Sequence, residues 1–205
     1  MENKWLACAK RIQAIAQAGI TYSVNDYDLE RYQELREISA TLIADLSHEK
    51  IEVVLDLFKQ EVGYQTPKVD VRGVVFKEGK ILMIQEKADN CWSLPGGWAD
   101  VGYSPAEVAV KEVGEESGLK VAAKRLLGIL DKKFHDHPPD IYHVYKIFIE
   151  CEEVGGALMK GMETLDVGYF AIDNLPELSR DRITEQQIQK LFGYYKGLTK
   201  EPFFD

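Results

Sequence analysis

The segment Pro95–Leu119 constrains the fold of this chain most strongly, because it carries the signals for both ends of one helix. Gly96-Gly97 follows an apolar run and predicts a tight turn after a strand. Ser104-Pro105-Ala106-Glu107 fits a capping box with proline at the first helical position. Gly118 stands where the left-handed residue that ends a helix belongs. The sequence therefore predicts a strand, a glycine turn, a loop and a helix over about 104–117.

Three glutamates of this helix, Glu112, Glu115 and Glu116, are expected on one side of it. At about 100° per residue they project within an arc of roughly 100°. Like charges at such neighbouring positions repel each other, and a hard divalent cation among the oxygens would remove that repulsion. A charge run alone is usually a solvated acidic face. The double glycine and the capped helix around this run favour the metal site instead.

The same stretch resembles the Nudix box, Gly-x5-Glu-x7-Arg-Glu-U-x-Glu-Glu-x-Gly-U, in which U is aliphatic. The matching residues are Gly97, Glu112, Val113, Glu115, Glu116, Gly118 and Leu119. The chain departs from the pattern at Tyr103, where the family has Glu, and at Lys111, where it has Arg. In the family those two side chains can form a supporting ion pair. We expect a Glu107–Lys111 pair to replace that support in part, because Glu four residues before Lys is the favourable orientation.

This resemblance implies an α/β (α+β) fold, a Nudix αβα sandwich with a mixed sheet, and a hydrolase that cleaves a phosphoanhydride with Mg²⁺ or Mn²⁺. The implied metal ligands are the backbone carbonyl of Gly97 and the carboxylates of Glu112, Glu115 and Glu116. One of the box glutamates, or a further carboxylate, would accept a proton from the attacking water. The further carboxylate that we expect is Glu163, in a loop before a predicted strand. A solvent-exposed loop acid is the alternative for Glu163.

Residues 1–66 differ from the rest of the chain in their sequence pattern. Their apolar residues recur at helical spacing and predict three helices. Pro67 interrupts that pattern. Beyond it, two strand-like runs joined by Glu78-Gly79 predict a hairpin. We therefore expect a small all-α N-terminal domain, 1–66, and a catalytic domain, 67–205. Later strands are expected at 126–132, 141–150 and 168–172, and a last helix at 183–195.

The wider resemblance is to a bacterial Nudix subgroup and is carried by the helical leader, by Val69–Arg72 and by Leu178-Ser179-Arg180. It implies a nucleoside diphosphate linked to a group X as substrate, split into a nucleoside monophosphate and phospho-X. CDP-choline, giving CMP and phosphocholine, is the expected substrate, and ADP-ribose is the main alternative. Processing of RNA ends is a third hypothesis. A nucleotide-binding module without catalysis is disfavoured, because all three box glutamates are present.

Three residues outside the box are candidate substrate ligands. Arg72 lies within an apolar strand and would pair with a phosphate, unless it is an ion-paired structural arginine. His135 belongs to the loop Phe134–Pro139, a candidate substrate loop whose ligand spacing disfavours zinc. Arg180 would contact the substrate or cap the last helix region, and the sequence favours neither.

Composition excludes several other classes of protein. The net charge is −9 and no run of Lys and Arg offers a nucleic-acid-binding stripe. Three widely spaced cysteines, Cys8, Cys91 and Cys151, predict reduced thiols. No segment is apolar enough to span a membrane, and charges interrupt the N-terminal apolar stretch, so we expect a cytoplasmic protein. The apolar faces of the leader would be covered by the catalytic domain or by a second copy, and we expect a homodimer.

Overall fold

The computed structural model describes residues 3–205 and divides into two compact units. The first unit runs to Pro67 and also includes the short segment Pro138–His143. The second comprises Lys68–His137 and Val144–Asp205. Over residues 3–205 no helix is long and apolar enough to cross a membrane, and Cys8, Cys91 and Cys151 all carry free thiols.

The first unit is built on three helices, α1 (Lys4–Tyr22), α2 (Asp26–Ser47) and α3 (Ile51–Gln60). Asn3 and Asn25 begin the first two, because each side chain accepts a hydrogen bond from a backbone N–H two residues later. The core of this unit consists of Leu6, Ala9, Ala40, Ile43, Ala44, Val54 and Phe58. Ile141 packs against that core. Lys10 Nζ donates to the carbonyls of Asp140 and Tyr142, so the segment Pro138–His143 belongs to the helical unit by its packing.

The second unit contains a mixed sheet centred on β1, which pairs in parallel with β6 and antiparallel with β2 and β4. β2 also pairs with β3 and β7, and β5 lies between β6 and the short β8. In chain order the strands are β1 (Lys68–Lys77), β2 (Lys80–Glu86), β3 (Trp92–Ser93), β4 (Gly96–Trp98), β5 (Leu119–Asp131), β6 (Val144–Gly156), β7 (Thr164–Phe170) and β8 (Phe203–Phe204).

A helix covers each face of this sheet, and the alternation of β1 shows how. Val71 and Val75 point into the core beneath α4 (Pro105–Ser117), whereas Val74 points into the core beneath α5 (Glu185–Tyr195). The second unit is therefore a helix–sheet–helix sandwich with a mixed sheet, preceded in the chain by helices. This confirms the predicted fold class.

Both ends of α4 follow the sequence signals. Ser104 Oγ accepts from Glu107 N, and the Glu107 carboxylate accepts from Ser104 N at 2.8 Å, which completes the capping box. Gly118 ends the helix with φ of 73°. The β1–β2 hairpin also follows its signal, because Glu78 and Gly79 both have the positive φ that a type I′ turn requires.

Three strand boundaries were predicted wrongly. β5 begins at Leu119 rather than 126, because residues 122–126 are exposed and register shifts along β5–β6 break the alternation of apolar residues. β6 begins at Val144 rather than 141, because 141–143 packs with the helical unit. β7 covers Thr164–Phe170 rather than 168–172, because it pairs antiparallel with β2, Thr164 opposite Glu86 and Phe170 opposite Ile81.

We expect Gly118→Ala to lower the free energy of unfolding by about 1–2 kcal/mol, because an alanine there needs a positive φ. Its Cβ would also lie 2.7 Å from the Ala157 carbonyl oxygen. Gly193→Ala is the matched control, since among the described residues no heavy atom outside the neighbouring backbone of its own helix lies within 4 Å of the added Cβ. In α5 it should stabilise by up to about 1 kcal/mol. Urea unfolding followed by circular dichroism measures both, and equal shifts in the two variants would contradict this account.

Candidate functional site

The double glycine of β4 lies directly against β1. A Cβ at Gly96 would stand 2.1 Å from the Val71 carbonyl oxygen, so no larger residue fits there. Gly73 has the same role towards α4, because a Cβ at that position would stand 2.3 Å from Val113 Cγ2. Gly96 and Gly97 themselves belong to β4 rather than to the predicted turn, and the bend lies at Pro95. The short connection from β3 into β4, residues 94–97, is called the glycine turn from here on. These close approaches bring it together with the box helix across β1.

The box glutamates meet the glycine turn in this space. Glu116 is buried, and its Oε2 accepts a hydrogen bond from Gly96 N at 2.8 Å. Glu112 lies beside Gly97, since its Oε2 would be 3.6 Å from a Cβ added there. Glu115 is the outermost, with 63% of its side chain exposed. The structure therefore brings Gly97, Glu112 and Glu116 together, with Glu115 at the rim.

Burial raises the pKa of Glu116 to about 8, although the Gly96 N–H and the charge of Arg72 oppose that rise. Burial also raises the pKa of Glu112. Buried carboxylates with raised pKa values lack a full positive counter-charge, and a divalent cation would supply it. The chemistry of the donors Gly97 O, Glu112, Glu115 and Glu116 therefore suits such a cation, although within residues 3–205 no three acidic, histidine or cysteine side chains already stand in metal-binding positions. When bound, the cation would neutralise charge on phosphate oxygens and activate water.

Lys111 contacts the box glutamates directly. Its Nζ lies 3.3 Å from Asp100 Oδ2, 3.3 Å from Glu112 Oε1 and 3.7 Å from Glu115 Oε2. The predicted Glu107–Lys111 pair is therefore wrong. The Glu107 carboxylate is held at the N-terminus of α4 by the N–H and hydroxyl of Ser104, both at 2.8 Å. Asp100, in the loop before α4, takes the place predicted for Glu107.

A buried charge network supports the glycine turn. Arg72 Nε donates to Asp70 Oδ1 at 2.9 Å, and Arg72 Nη1 donates to the Leu94 carbonyl at 3.0 Å. Lys146, almost fully buried, donates to the other Asp70 oxygen. Burial alone would raise the pKa of Asp70, but the two cations lower it to about 2, while burial lowers the pKa of Lys146 to about 8.

Arg72 thus has protein partners at both Nε and Nη1, and its predicted contact with a substrate phosphate stays a prediction. The sequence analysis missed Asp70 and Lys146. The available signal was their position, because each is a charged residue inside a strand whose neighbours are apolar. A charge placed in such a strand usually has a partner.

Glu86 is a further buried carboxylate that the sequence analysis missed. It accepts from Ser93 Oγ at 2.7 Å and pairs with Arg182 Nε at 3.0 Å. Its charge contributes to the raised pKa of Glu116. Because Glu86 comes at the end of a strand with no motif around it, only the fold reveals that it lies near the box.

The loop that carries Glu163 sits against the last turn of α4. A Cβ at Gly161 would be 2.1 Å from the Glu115 carbonyl oxygen, and Thr164 Oγ1 donates to the Glu116 carbonyl at 3.3 Å. The Glu163 side chain itself is exposed. The loop is thus near the box, and the catalytic role of Glu163 stays a prediction.

His135 and Arg180 have other contacts. The His135 ring is buried, with Nε2 3.1 Å from the Asp205 carboxylate. Arg180 pairs with Asp136 at 2.7 Å. Both residues of that pair line a cavity of about 710 Å³ between the segment after β7 and the start of α5. The remaining lining residues are Ile172, Asp173, Leu175, Pro176, Glu177, Leu178, Ile183, Thr184, Glu185 and Gln186. The substrate-binding roles of His135 and Arg180 stay predictions.

The sandwich, the glycine turn and the glutamate helix together define the Nudix class of hydrolase. A family model described as the NUDIX domain matches residues 66–191, and the chain belongs to the Nudix family. It is a hydrolase that acts on phosphoanhydride bonds. Nudix hydrolases generally need a divalent metal. A second model, described as the UDP-X-like, N-terminal oligomerisation domain, matches residues 3–58.

Similar proteins cover the whole chain. The chain is 49% identical, over all of its own length and 99% of the other, to the Bacillus subtilis protein named "Putative ADP-ribose pyrophosphatase YjhB". A crystal structure of a UDP-X diphosphatase shares 33% identity over 98% of each chain, with a TM-score of 0.65. An ADP-ribose pyrophosphatase structure from Streptococcus suis shares 42% identity over 68% of this chain and 100% of that one, with a TM-score of 0.62.

In protein stripped of metal with EDTA, we expect the free energy of unfolding to fall as pH rises from about 4.5 to about 8. Folded Glu116 has a pKa of about 8 against an ordinary 4.5, so the folded chain holds this proton more tightly than the unfolded chain. That stabilisation is complete below the unfolded pKa and is lost as pH rises through the folded pKa. Thermal unfolding at a series of pH values measures the decline.

Glu116→Gln should remove much of this decline, because the amide does not titrate. Glu107→Gln is the control from the same helix, and it should keep the parent decline. Equal pH dependence in the parent protein and in Glu116→Gln would show that Glu116 does not release the proton.

Proposed function

We propose that this Nudix hydrolase splits a nucleoside diphosphate linked to a group X into a nucleoside monophosphate and phospho-X, using Mg²⁺ or Mn²⁺. The observation that carries the proposal is the packing of Glu112 and Glu116 against the Gly96-Gly97 turn, where both carboxylates have raised pKa values. Such a site suits a cation shared between carboxylates and a pyrophosphate. Relatives named for ADP-ribose and for UDP-X support a substrate of this class.

In this proposal Gly97 O, Glu112, Glu115 and Glu116 hold the cation. Glu163 or one of the box glutamates takes the proton of the attacking water. The position of the Glu163 loop supports this role, because Gly161 packs against the end of the box helix and Thr164 donates a hydrogen bond to it. Arg72 then mainly stabilises the glycine turn, through its hydrogen bond to the Leu94 carbonyl oxygen.

ADP-ribose is the first substrate to test, because two of the similar proteins carry its name. CDP-choline is the second, and a different observation favours it. The 710 Å³ cavity is lined by the apolar residues Ile172, Leu175 and Leu178 and by three exposed acids, Asp173, Glu177 and Glu185. Arg180, which also lines it, is paired with Asp136. A surplus of acidic residues attracts a cationic group such as choline and disfavours an anionic one.

A panel of nucleoside diphosphate derivatives with Mg²⁺ or Mn²⁺, scored for release of monophosphate, tests the proposal. We expect turnover of ADP-ribose or CDP-choline, and a loss of at least about 100-fold in kcat for Glu116→Gln, because a carboxylate ligand is removed. Glu107→Gln should keep the parent rate, because the glutamine amide still caps the helix. Release of monophosphate by Glu116→Gln at the parent rate would refute the metal-site assignment. If the chain acted only on triphosphorylated RNA ends, the proposed substrate class would be wrong and RNA would take its place.

We also propose that the chain forms a homodimer through its helical unit. Leu35, Ile38 and Leu42 lie at spacings of three and four along α2, and between 39% and 49% of each residue is exposed. Residues at these spacings share one helix face. An exposed apolar stripe of this kind is typical of a contact surface, and the family model that covers it is described as an oligomerisation domain.

Ile38→Asp should convert the dimer into a monomer, because the substitution would bury a charge at the contact. Light scattering after gel filtration should give about twice the 23.3 kDa chain mass for the parent and a single chain mass for the variant. Val24→Asp is the matched control, since Val24 is fully exposed between α1 and α2. A parent chain that elutes as a monomer, or an Ile38→Asp variant that stays dimeric, would contradict the proposal.

A further inference from the structure

The Lys111 ammonium group has two pairs of partners. Its Nζ is 3.3 Å from Glu112 Oε1 and 3.7 Å from Glu115 Oε2 on its own helix. It is also 3.3 Å from Asp100 Oδ2 and 6.0 Å from the centre of the Tyr103 ring in the preceding loop. One lysine therefore lies beside two expected metal ligands and beside two residues of the loop that precedes α4.

We propose that Lys111 is an internal counter-ion of Glu112 and Glu115, and that Asp100 and Tyr103 retain it when those glutamates bind a divalent cation. The inference rests on the proposed metal-dependent function. It makes Asp100, Tyr103 and Lys111 positioning residues, which act on the reaction through the two glutamates.

In the metal-free chain, Lys111 is the counter-ion of Glu112 and Glu115. Glu112 and Glu115 are neighbours on one helix face, and their charges repel each other unless a cation stands between them. Lys111 Nζ is within ion-pair distance of both. In these side-chain positions, no three acidic, histidine or cysteine side chains within residues 3–205 are arranged to hold a metal ion. The glutamates must therefore reorient to act as ligands, and their contacts with Lys111 are the ones to be given up.

A divalent cation on Glu112 and Glu115 would displace Lys111 from them, because two cations that share the same carboxylate oxygens repel each other. Lys111 then needs other partners. Asp100 is already in contact and offers a full negative charge. The Tyr103 ring offers a negative face at a distance where a cation–π attraction operates. Both partners are already within reach of Lys111 Nζ in this structure.

The two departures from the box pattern, Tyr103 and Lys111, fit this exchange of partners. An arginine at this position would bind a carboxylate with both arms of a rigid fork, whereas lysine is a point charge on a flexible stem. A point charge suits exchange between partners. Tyr103 in place of the usual glutamate avoids a second strong anion beside Asp100. The two departures are therefore coupled through Asp100, which is outside the defined positions of the box.

Mn²⁺ binding to the full-length chain, followed by electron paramagnetic resonance of the free ion, tests the inference without reference to turnover. Lys111→Gln should tighten Mn²⁺ binding about two- to fivefold, because it removes a competing cation of the strength of an exposed ion pair. Asp100→Asn combined with Tyr103→Leu should weaken binding by a similar factor, because Lys111 then stays on the glutamates. The same pair of substitutions made in Lys111→Gln should have no further effect. Tyr103→Phe, which keeps the ring, should match the parent.

Lys77→Gln is the matched control. Lys77 makes the same two kinds of contact away from the box, to Glu153 at 2.9 Å and to the Tyr169 ring at 5.9 Å. Its removal should leave Mn²⁺ affinity unchanged, which separates the local effect from the change in net charge. Circular dichroism confirms that each variant is folded.

The outcomes separate this inference from the proposed function. If Lys111→Gln and the Asp100–Tyr103 variant both weaken Mn²⁺ binding, Lys111 is only a structural support and the inference is overturned, while the metal site stands. If the Asp100–Tyr103 substitutions act equally in the presence and absence of Lys111, they act directly on the metal and the inference also fails. A parent chain that binds no Mn²⁺ would overturn the proposed function as well.

Discussion

The contact between the Glu116 carboxylate and the Gly96 backbone N–H is the interaction on which the site depends. It exists because Gly73 and Gly96 remove the side chains that would keep α4 and β4 away from β1. Burial raises the pKa of this carboxyl group to about 8, so at neutral pH it ionises fully only beside an added positive charge. The same close packing that completes the sheet therefore favours a bound cation at Glu116.

The charged residues around this contact form two groups that differ in burial. In the buried group, Asp70 accepts from both Arg72 and Lys146, and Arg72 also donates to the Leu94 carbonyl. In the more exposed group, Lys111 contacts Asp100, Glu112 and Glu115. A satisfied buried network holds its members in place, whereas the partly exposed group can exchange partners.

Membership of the Nudix family accounts for the second unit, whereas a separate family model matches the helical unit. Its apolar stripe on α2 is separate from the box residues in sequence, and the matching family model concerns oligomerisation. The proposed choice of substrate rests on a different part of the second unit, the cavity that Asp173, Glu177 and Glu185 line. Pocket shape is a property of side chains from distant segments, and it varies independently of the catalytic motif.

The sequence by itself determined the local elements: the capped helix from Pro105 to Ser117, the Glu78-Gly79 hairpin and the gathering of three glutamates on one helix side. Each of these depends on residues within a few positions of one another, where backbone geometry and capping decide the outcome. Only the tertiary structure decided that Asp100 rather than Glu107 pairs with Lys111, that Lys146 supports Arg72, and that Glu86 lies beside Glu116. Asp100 and Lys111 are eleven residues apart, across the loop that begins α4, whereas the other contacts join segments that the sheet brings together from farther apart in the chain. A buried charge can be suspected from its apolar neighbours in the sequence, but its partner is set by the tertiary packing.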